Sequence, residues 1–232
     1  MSQLTIYLVR HGETLWNVEQ RIQGNTDIPL TAHGEEQAQA LARRLAGLSF
    51  DAVYSSDLTR AAHTTEIIRE LGAGHALPLH LDARLRERNW GNMEGLTWED
   101  IIKDHPDDLQ HIKSGNIDYA PQGGESRNQV ISRVLNWLHE ATATENSTLL
   151  AVTHGGSASA ILKHALGIDQ TVRTPFVIEN CALNILLFIE RSKWVVETLN
   201  DTCHLRRTGT FTRNYTRFGG DPDRLAPNKK QL

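Results

Sequence analysis

The 232-residue sequence predicts an α/β fold: a three-layer sandwich with a mostly parallel central sheet. Three observations carry that expectation. Strand-like segments alternate with amphipathic helical segments along the chain. The segments LTIYLV at 4–9 and TLLAVT at 148–153 are near-continuous apolar runs, as expected of strands covered on both faces. Near the end, ALNILLFIE and KWVVETLN are separated only by Arg191 and Ser192, which adds a closing antiparallel hairpin.

The elements follow in order. Residues 4–9 form the first strand. Ala38, Leu41, Leu45 and Leu48 recur at helical spacing and predict a helix over 30–48. A short strand lies in 51–57 and runs into a turn. The helix over 58–72 has Asp57 as its expected N-cap and Gly72 as its C-cap. A short strand at 77–81 follows. Residues 94–124 mix Gly, Pro, Asp and His with helical fragments such as TWEDIIKDH, and read as an irregular, lid-like insertion. Ser126 caps a helix in which Val130, Val134, Trp137 and Leu138 share one face. The strand 148–153 leads to a helix over 157–167, and the hairpin closes the sheet. One domain is thus expected over 1–205. The tail 206–232, rich in Gly, Pro, Asn and basic residues, is expected to be loosely held.

Composition narrows the function. Hydrophobic residues are 39% and charged residues 22% of the chain, with a mean hydropathy of −0.40. These values describe a globular protein and exclude a disordered or collagen-like one. No apolar run approaches the roughly 20 residues of a membrane helix. The N-terminus lacks the basic and apolar regions of a secretory signal. A net charge of −4 argues against general binding to nucleic acid or a membrane surface, so any anionic ligand must meet a local cluster of cations. Two cysteines, Cys181 and Cys203, suit a reducing cytoplasm.

Ligands of such sheets bind at the carboxyl ends of the strands. There the first strand runs into Arg10-His11-Gly12-Glu13, the strand ending at Thr153 into His154-Gly155-Gly156, and the strand near Ser55 into a helix whose first turn holds Arg60. A single histidine or arginine at a strand end is most often a hydrogen-bonded or solvated residue. Two His-Gly pairs and two arginines at three strand ends point instead to a phosphoryl ligand. Arginines bind phosphate oxygens bidentately, and a helix N-terminus adds amide donors and a favourable dipole. Glu87, flanked by Arg86 and Arg88, reads from spacing alone as a salt-bridged surface carboxylate; the rival reading is a proton donor to a leaving alcohol. There is no P-loop, H-E-x-x-H or G-x-S-x-G, and neither cysteine sits in a phosphatase loop. The other histidines lie scattered, without metal-ligand spacing.

LVRHGETLWN at 8–17 resembles the signature of the histidine phosphatase superfamily, which contains cofactor-dependent phosphoglycerate mutase. The resemblance continues through RIQGNTDIPLTAHGEEQA, SSDLTRAAHTTEII, LRERNWGNMEG, GGES and VTHGG, in the family's order, from about residue 4 to 199. It implies a phosphoglycerate mutase-like fold. It also implies that His11 is a nucleophile becoming phosphohistidine, that Arg10, Arg60 and His154 hold the phosphoryl oxygens, and that Glu87 is the acid/base. Asn17, the backbone of Gln23-Gly24 and the Gly155 amide complete the implied phosphate pocket. The resemblance implies no metal and no cofactor, with a small phosphate ester as ligand and a homodimer as a plausible assembly.

The same comparison separates two reactions. Mutases of the family resemble one another in a Phe-Thr-Gly where this chain has Ile22-Gln23-Gly24. They also carry a longer insertion with a lysine and an Arg-Arg pair that grip a second anion. Residues 95–121 here contain Lys103 and Lys113 and no arginine. Hydrolysis of a small phosphorylated metabolite is therefore expected, with a 2,3-bisphosphoglycerate-dependent mutase as the alternative. A regulatory, non-catalytic member of the family would lack His11, Glu87 or His154, and all three are present. Trp90, Met93 and Trp98 fit either an apolar pocket for the alcohol or a local core.

Overall fold

The computed structural model describes residues 3–72, 77–144, 147–190 and 193–212. Six strands form one sheet: β1 (Gln3–Arg10), β2 (Ala52–Ser55), β3 (Leu79–Leu81), β4 (Thr148–Thr153), β5 (Leu183–Ile189) and β6 (Lys193–Asp201). Their order is β3-β2-β4-β1-β5-β6. The pairs β3–β2, β2–β4 and β4–β1 are parallel, and β1–β5 and β5–β6 antiparallel. The sheet is thus mostly parallel, and the expected hairpin is its far edge. The turn at Arg191 and Ser192 lies outside the described residues.

Both faces are covered, which is why the central strands are apolar throughout. On β1, Ile6 and Leu8 enter a core with Val134, Trp137 and Leu138 of α6 (Arg127–Ala143) and Ile161 and Leu162 of α7 (Gly155–Ala165). Val9, which follows Leu8 and so points to the other side of the strand, enters a second core on the opposite face. That core holds Leu41 and Leu45 of α2 (Ala32–Leu45), Ile67 and Ile68 of α3 (Thr59–Leu71) and Leu205 of α8 (Cys203–Thr208). Leu149 and Leu150 on β4 divide in the same way. Each such side chain contributes about 1.5–3 kcal/mol relative to its exposed state.

The insertion is more regular than expected. It contains α4 (Trp98–Asp104), capped by a Thr97–Asp100 box, and α5 (Pro106–Lys113), which starts on a proline at its first position. Trp90, Met93, Ile101 and Ile22 form a third buried cluster with Trp98 against it. Trp90 and Met93 are therefore core residues, and the partly buried Trp98 packs against them.

Two local expectations are corrected. Asp57 does not cap α3: the N-cap residue is Leu58, without a side-chain cap bond. The Asp57 carboxylate instead receives Arg86 Nε at 2.7 Å and a second guanidinium nitrogen at 2.5 Å. Asp27, from a distant loop, accepts from the Thr59 amide at 2.9 Å and Thr59 Oγ1 at 2.5 Å, and so does the capping. The first residues of the tail are also packed rather than loose. Helix α8 runs across residue 205, and Thr210 is buried. Thr212 Oγ1 lies 3.1 Å from Gln37 Nε2 and donates to Glu13 Oε2 at 3.2 Å. Residues 213–232 lie outside the described residues.

Candidate active site

Parallel register brings three strand ends together. Arg10 pairs with Thr153 across β1–β4, and Ser55 with Val152 across β2–β4. The chain then leaves the sheet at His11, Ser56 and His154 side by side. The His11 amide still donates to Thr153 O at 2.9 Å, and the Ser56 amide to Val152 O at 3.0 Å. The two imidazoles are neighbours, with ring centroids 5.1 Å apart and planes tilted by 58°.

Hydrogen bonds fix both tautomers. His11 Nδ1 lies 2.7 Å from Gly12 O. A carbonyl only accepts, so Nδ1 carries the proton and Nε2 the lone pair. His154 Nδ1 receives Arg60 Nε at 3.2 Å, which leaves Nε2–H to donate to Ser56 Oγ at 2.8 Å. His154 thus serves the site first by holding Arg60; direct contact with a phosphoryl oxygen requires release of Ser56.

Arg60 is fully buried. Beyond Nε, its two terminal nitrogens donate to Thr26 O at 2.9 Å and Gly24 O at 2.7 Å. Three of its five N–H groups are fixed to the protein, and two remain for a ligand. Arg10 Nη1 donates to Ile178 O at 2.7 Å. Its side chain lies 3.7 Å from where a Cβ on Gly155 would stand, so the N-terminus of α7 and the Arg10 guanidinium are neighbours. Asn17, on the short helix α1 (Leu15–Val18), is buried and turns Oδ1 to the Thr14 amide and hydroxyl in a capping box, which leaves Nδ2 for a ligand. The buried Gln23 side chain has an Oε1 without a hydrogen-bond partner.

Glu87 is 6% exposed, so the surface reading fails. Its flanking arginines turn away: Arg86 pairs with Asp57, and Arg88 donates to Glu125 O and Tyr119 O. The Glu87 carboxylate instead accepts from the Arg88 amide and the Gly156 amide, both at 2.8 Å. A Cβ on Gly156 would lie 2.3 Å from Glu87 Oε1. The glycine beside His11 is required by packing: a Cβ on Gly12 would meet Gly34 O at 2.5 Å.

Two positioning residues escaped the sequence reading. Arg133 donates to the carbonyls of Arg84, Arg86 and Glu87 at 2.7–2.9 Å and pairs with Glu125. Asn180 Nδ2 donates to His11 O at 2.8 Å. The GGES stretch places Glu125 but gives no sign of its partner on α6, and nothing local marks Asn180.

Burial, and then the cations Arg60 and Arg10, holds the His11 pKa well below the ordinary histidine value. His154 is lowered by burial and by Arg60, His11 and Arg10. Burial also brings Arg60 down to about 10, against the pull of Glu87, Asp27 and Glu94. Both imidazoles are therefore neutral near pH 7. In the unfolded chain they take protons near pH 6.5. As pH falls through that value the unfolded state binds more protons, and the stability contributed by the neutral pair, fully present above it, is lost. The thermal midpoint of the wild type should fall between pH 7.5 and 5.5, and His154→Gln should fall less over the same range. Identical pH slopes in a melting series would contradict the assignment.

The model of the histidine phosphatase superfamily (branch 1) matches residues 6–202. A Salmonella choleraesuis protein named "Probable phosphoglycerate mutase GpmB" is 35% identical over 211 residues, 87% of this chain and 95% of that protein. The structure of Bacillus stearothermophilus YhfR matches with a TM-score of 0.79 at 33% identity, covering 87% of this chain and 99% of that one. A mycobacterial glucosyl-3-phosphoglycerate phosphatase matches with a TM-score of 0.74 at 28% identity, covering 87% and 99%.

Proposed function

The chain belongs to the histidine phosphatase superfamily, and from that premise we propose that it is a metal-independent phosphomonoesterase acting on a small phosphorylated metabolite through a phosphohistidine at His11. The observation that carries the reading is the state of His11. It is buried and neutral, with Nδ1 committed to Gly12 O, in the field of Arg10 and Arg60 and 5.1 Å from the His154 ring.

In this mechanism the His11 Nε2 lone pair attacks phosphorus in line with the ester oxygen. The N–P bond forms as the P–O bond breaks, and Glu87 passes a proton to the leaving oxygen. Arg10 and the two remaining N–H groups of Arg60 meet the charge on the equatorial oxygens, with the Gly155 amide and Asn17 Nδ2 as further donors. Water then attacks the phosphorus of the phosphohistidine, the N–P bond breaks with its electron pair returning to His11 Nε2, Glu87 takes the water's proton, and inorganic phosphate leaves. The cation set is made of arginine, so the chemistry asks for no divalent ion. A cytoplasmic location fits Cys181 and Cys203, both free thiols.

A second reading, a 2,3-bisphosphoglycerate-dependent mutase, is favoured by the likeness to GpmB. A mutase must retain its bisphosphorylated intermediate while it turns over, and 95–121 supplies no arginine for a second clamp. The test runs phosphate release beside an enolase-coupled assay on 3-phosphoglycerate, with magnesium present for the coupling enzyme; hydrolysis of an aryl phosphate is measured separately, without enolase, with and without chelator. We expect phosphate from the aryl phosphate, and from 3-phosphoglycerate either phosphate and glycerate or no reaction. Added 2,3-bisphosphoglycerate should not stimulate isomerisation. Bisphosphate-stimulated 2-phosphoglycerate outrunning phosphate release by about tenfold would promote the mutase. Activity abolished by chelator and restored by magnesium or zinc would defeat metal independence.

A further inference from the structure

We infer that Glu94, outside the set of groups that reach the phosphoryl ligand, is a positioning residue that sets the phosphate side of the site by locking the 23–26 loop onto the acid/base segment. The inference rests on the phosphatase reading. The Glu94 carboxylate accepts four hydrogen bonds. Oε1 takes the amides of Asn25 at 2.8 Å and Trp90 at 3.0 Å, and Oε2 takes the amide of Thr26 at 2.9 Å and its hydroxyl at 2.5 Å. One side chain thus joins two segments distant in sequence. The same junction is zipped by backbone bonds, Ile22 N to Leu96 O at 2.9 Å and Gly95 N to Ile22 O at 2.8 Å. The chain turns at Gly24 with φ +54°, and a Cβ there would stand 2.0 Å from Glu94 Oε1, so the carboxylate occupies the room that only glycine leaves.

The consequence reaches the ligand through Arg60. Its terminal nitrogens are aimed by the Gly24 and Thr26 carbonyls, which belong to the very loop that Glu94 holds. A carboxylate accepting backbone amides makes charge-assisted bonds, stronger than neutral ones. Glutamine at this position keeps the size but turns an NH₂ group toward amide donors, and it cannot accept all four bonds. The loop should then shift, and Arg60 with it. Glu87 is held separately, by the Arg88 and Gly156 amides and by Arg133 on its backbone, so proton transfer should be spared.

The test compares wild type, Glu94→Gln and Thr26→Val on a series of phosphomonoesters of graded leaving-group pKa, with vanadate inhibition measured in parallel. For Glu94→Gln we expect kcat/KM to fall about 10–100-fold on every ester, the slope against leaving-group pKa to stay as in the wild type, and the vanadate inhibition constant to rise in step. Thr26→Val loses only the hydroxyl bond and should show a fall of about 3–10-fold of the same pattern. It keeps the proposal testable if Glu94→Gln does not fold. Unchanged vanadate inhibition, or a steeper leaving-group slope, would overturn the proposal, since disorder of the whole site disturbs Glu87 as well. A wild type without phosphatase activity or vanadate inhibition would instead overturn the reading beneath it.

Discussion

His11→Ala should lower kcat by at least about 10³-fold on every phosphomonoester the enzyme hydrolyses. Nucleophilic catalysis divides one difficult displacement into two easier ones, and without the imidazole a weakly bound water must attack the ester directly. The size of the loss follows from how completely the site is committed to this ring. The His11 amide is bonded to Thr153 O, its carbonyl to Asn180 Nδ2 and its Nδ1 to Gly12 O. The nearby His154 is not placed to substitute, since both its nitrogens are engaged, by Arg60 and Ser56. The cationic pocket should persist in the variant, so vanadate or phosphate should still raise its thermal midpoint. A variant that keeps binding and retains more than a few per cent of kcat would mean another nucleophile.

Glu87→Gln should produce a loss that depends on the leaving group. For a sugar phosphate, whose alkoxide leaves poorly without protonation, kcat should fall by about 10²-fold or more, within the range for general acid–base catalysis. For an activated aryl phosphate the phenolate leaves unaided, and the loss should be under about tenfold. The amide keeps the shape of the carboxylate between the Arg88 and Gly156 amides, although its NH₂ end cannot accept from them. Steady-state kinetics on the two substrates separates the roles. Equal losses on both would make Glu87 a structural residue of the α7 N-terminus.

Much of this was legible in the residues themselves. The runs at 4–9 and 148–153 are apolar at successive positions because helices cover both faces of the sheet, and their ends deliver His11 and His154 side by side. What local sequence could not reveal were partners brought from afar. Asp57 has the chemistry of an N-cap, yet a bidentate pair with Arg86 outcompetes that role and Asp27 takes it over. Glu87 sits between two arginines and so looks like a surface ion pair. Its burial depends on Arg86 and Arg88 finding acceptors at Asp57, Tyr119 and Glu125, none of which lies beside it in sequence. Trp90, Met93 and Trp98 were ambiguous because an apolar pocket and a small local core use the same side chains. Arg133 and Asn180 act on backbone carbonyls of other segments, and such contacts leave no motif.

A covalent phosphohistidine at His11 leaves a trace that rapid-quench labelling detects. Enzyme is mixed with phosphate-labelled substrate and quenched within the first turnover, and the protein-bound label is assayed for stability. The wild type should carry label that is stable to base and lost in acid and that maps to the peptide containing His11, and His11→Ala should carry none. Acid-stable label, label on another residue, or turnover by the wild type with no protein-bound label at any quench time would contradict a phosphohistidine at His11.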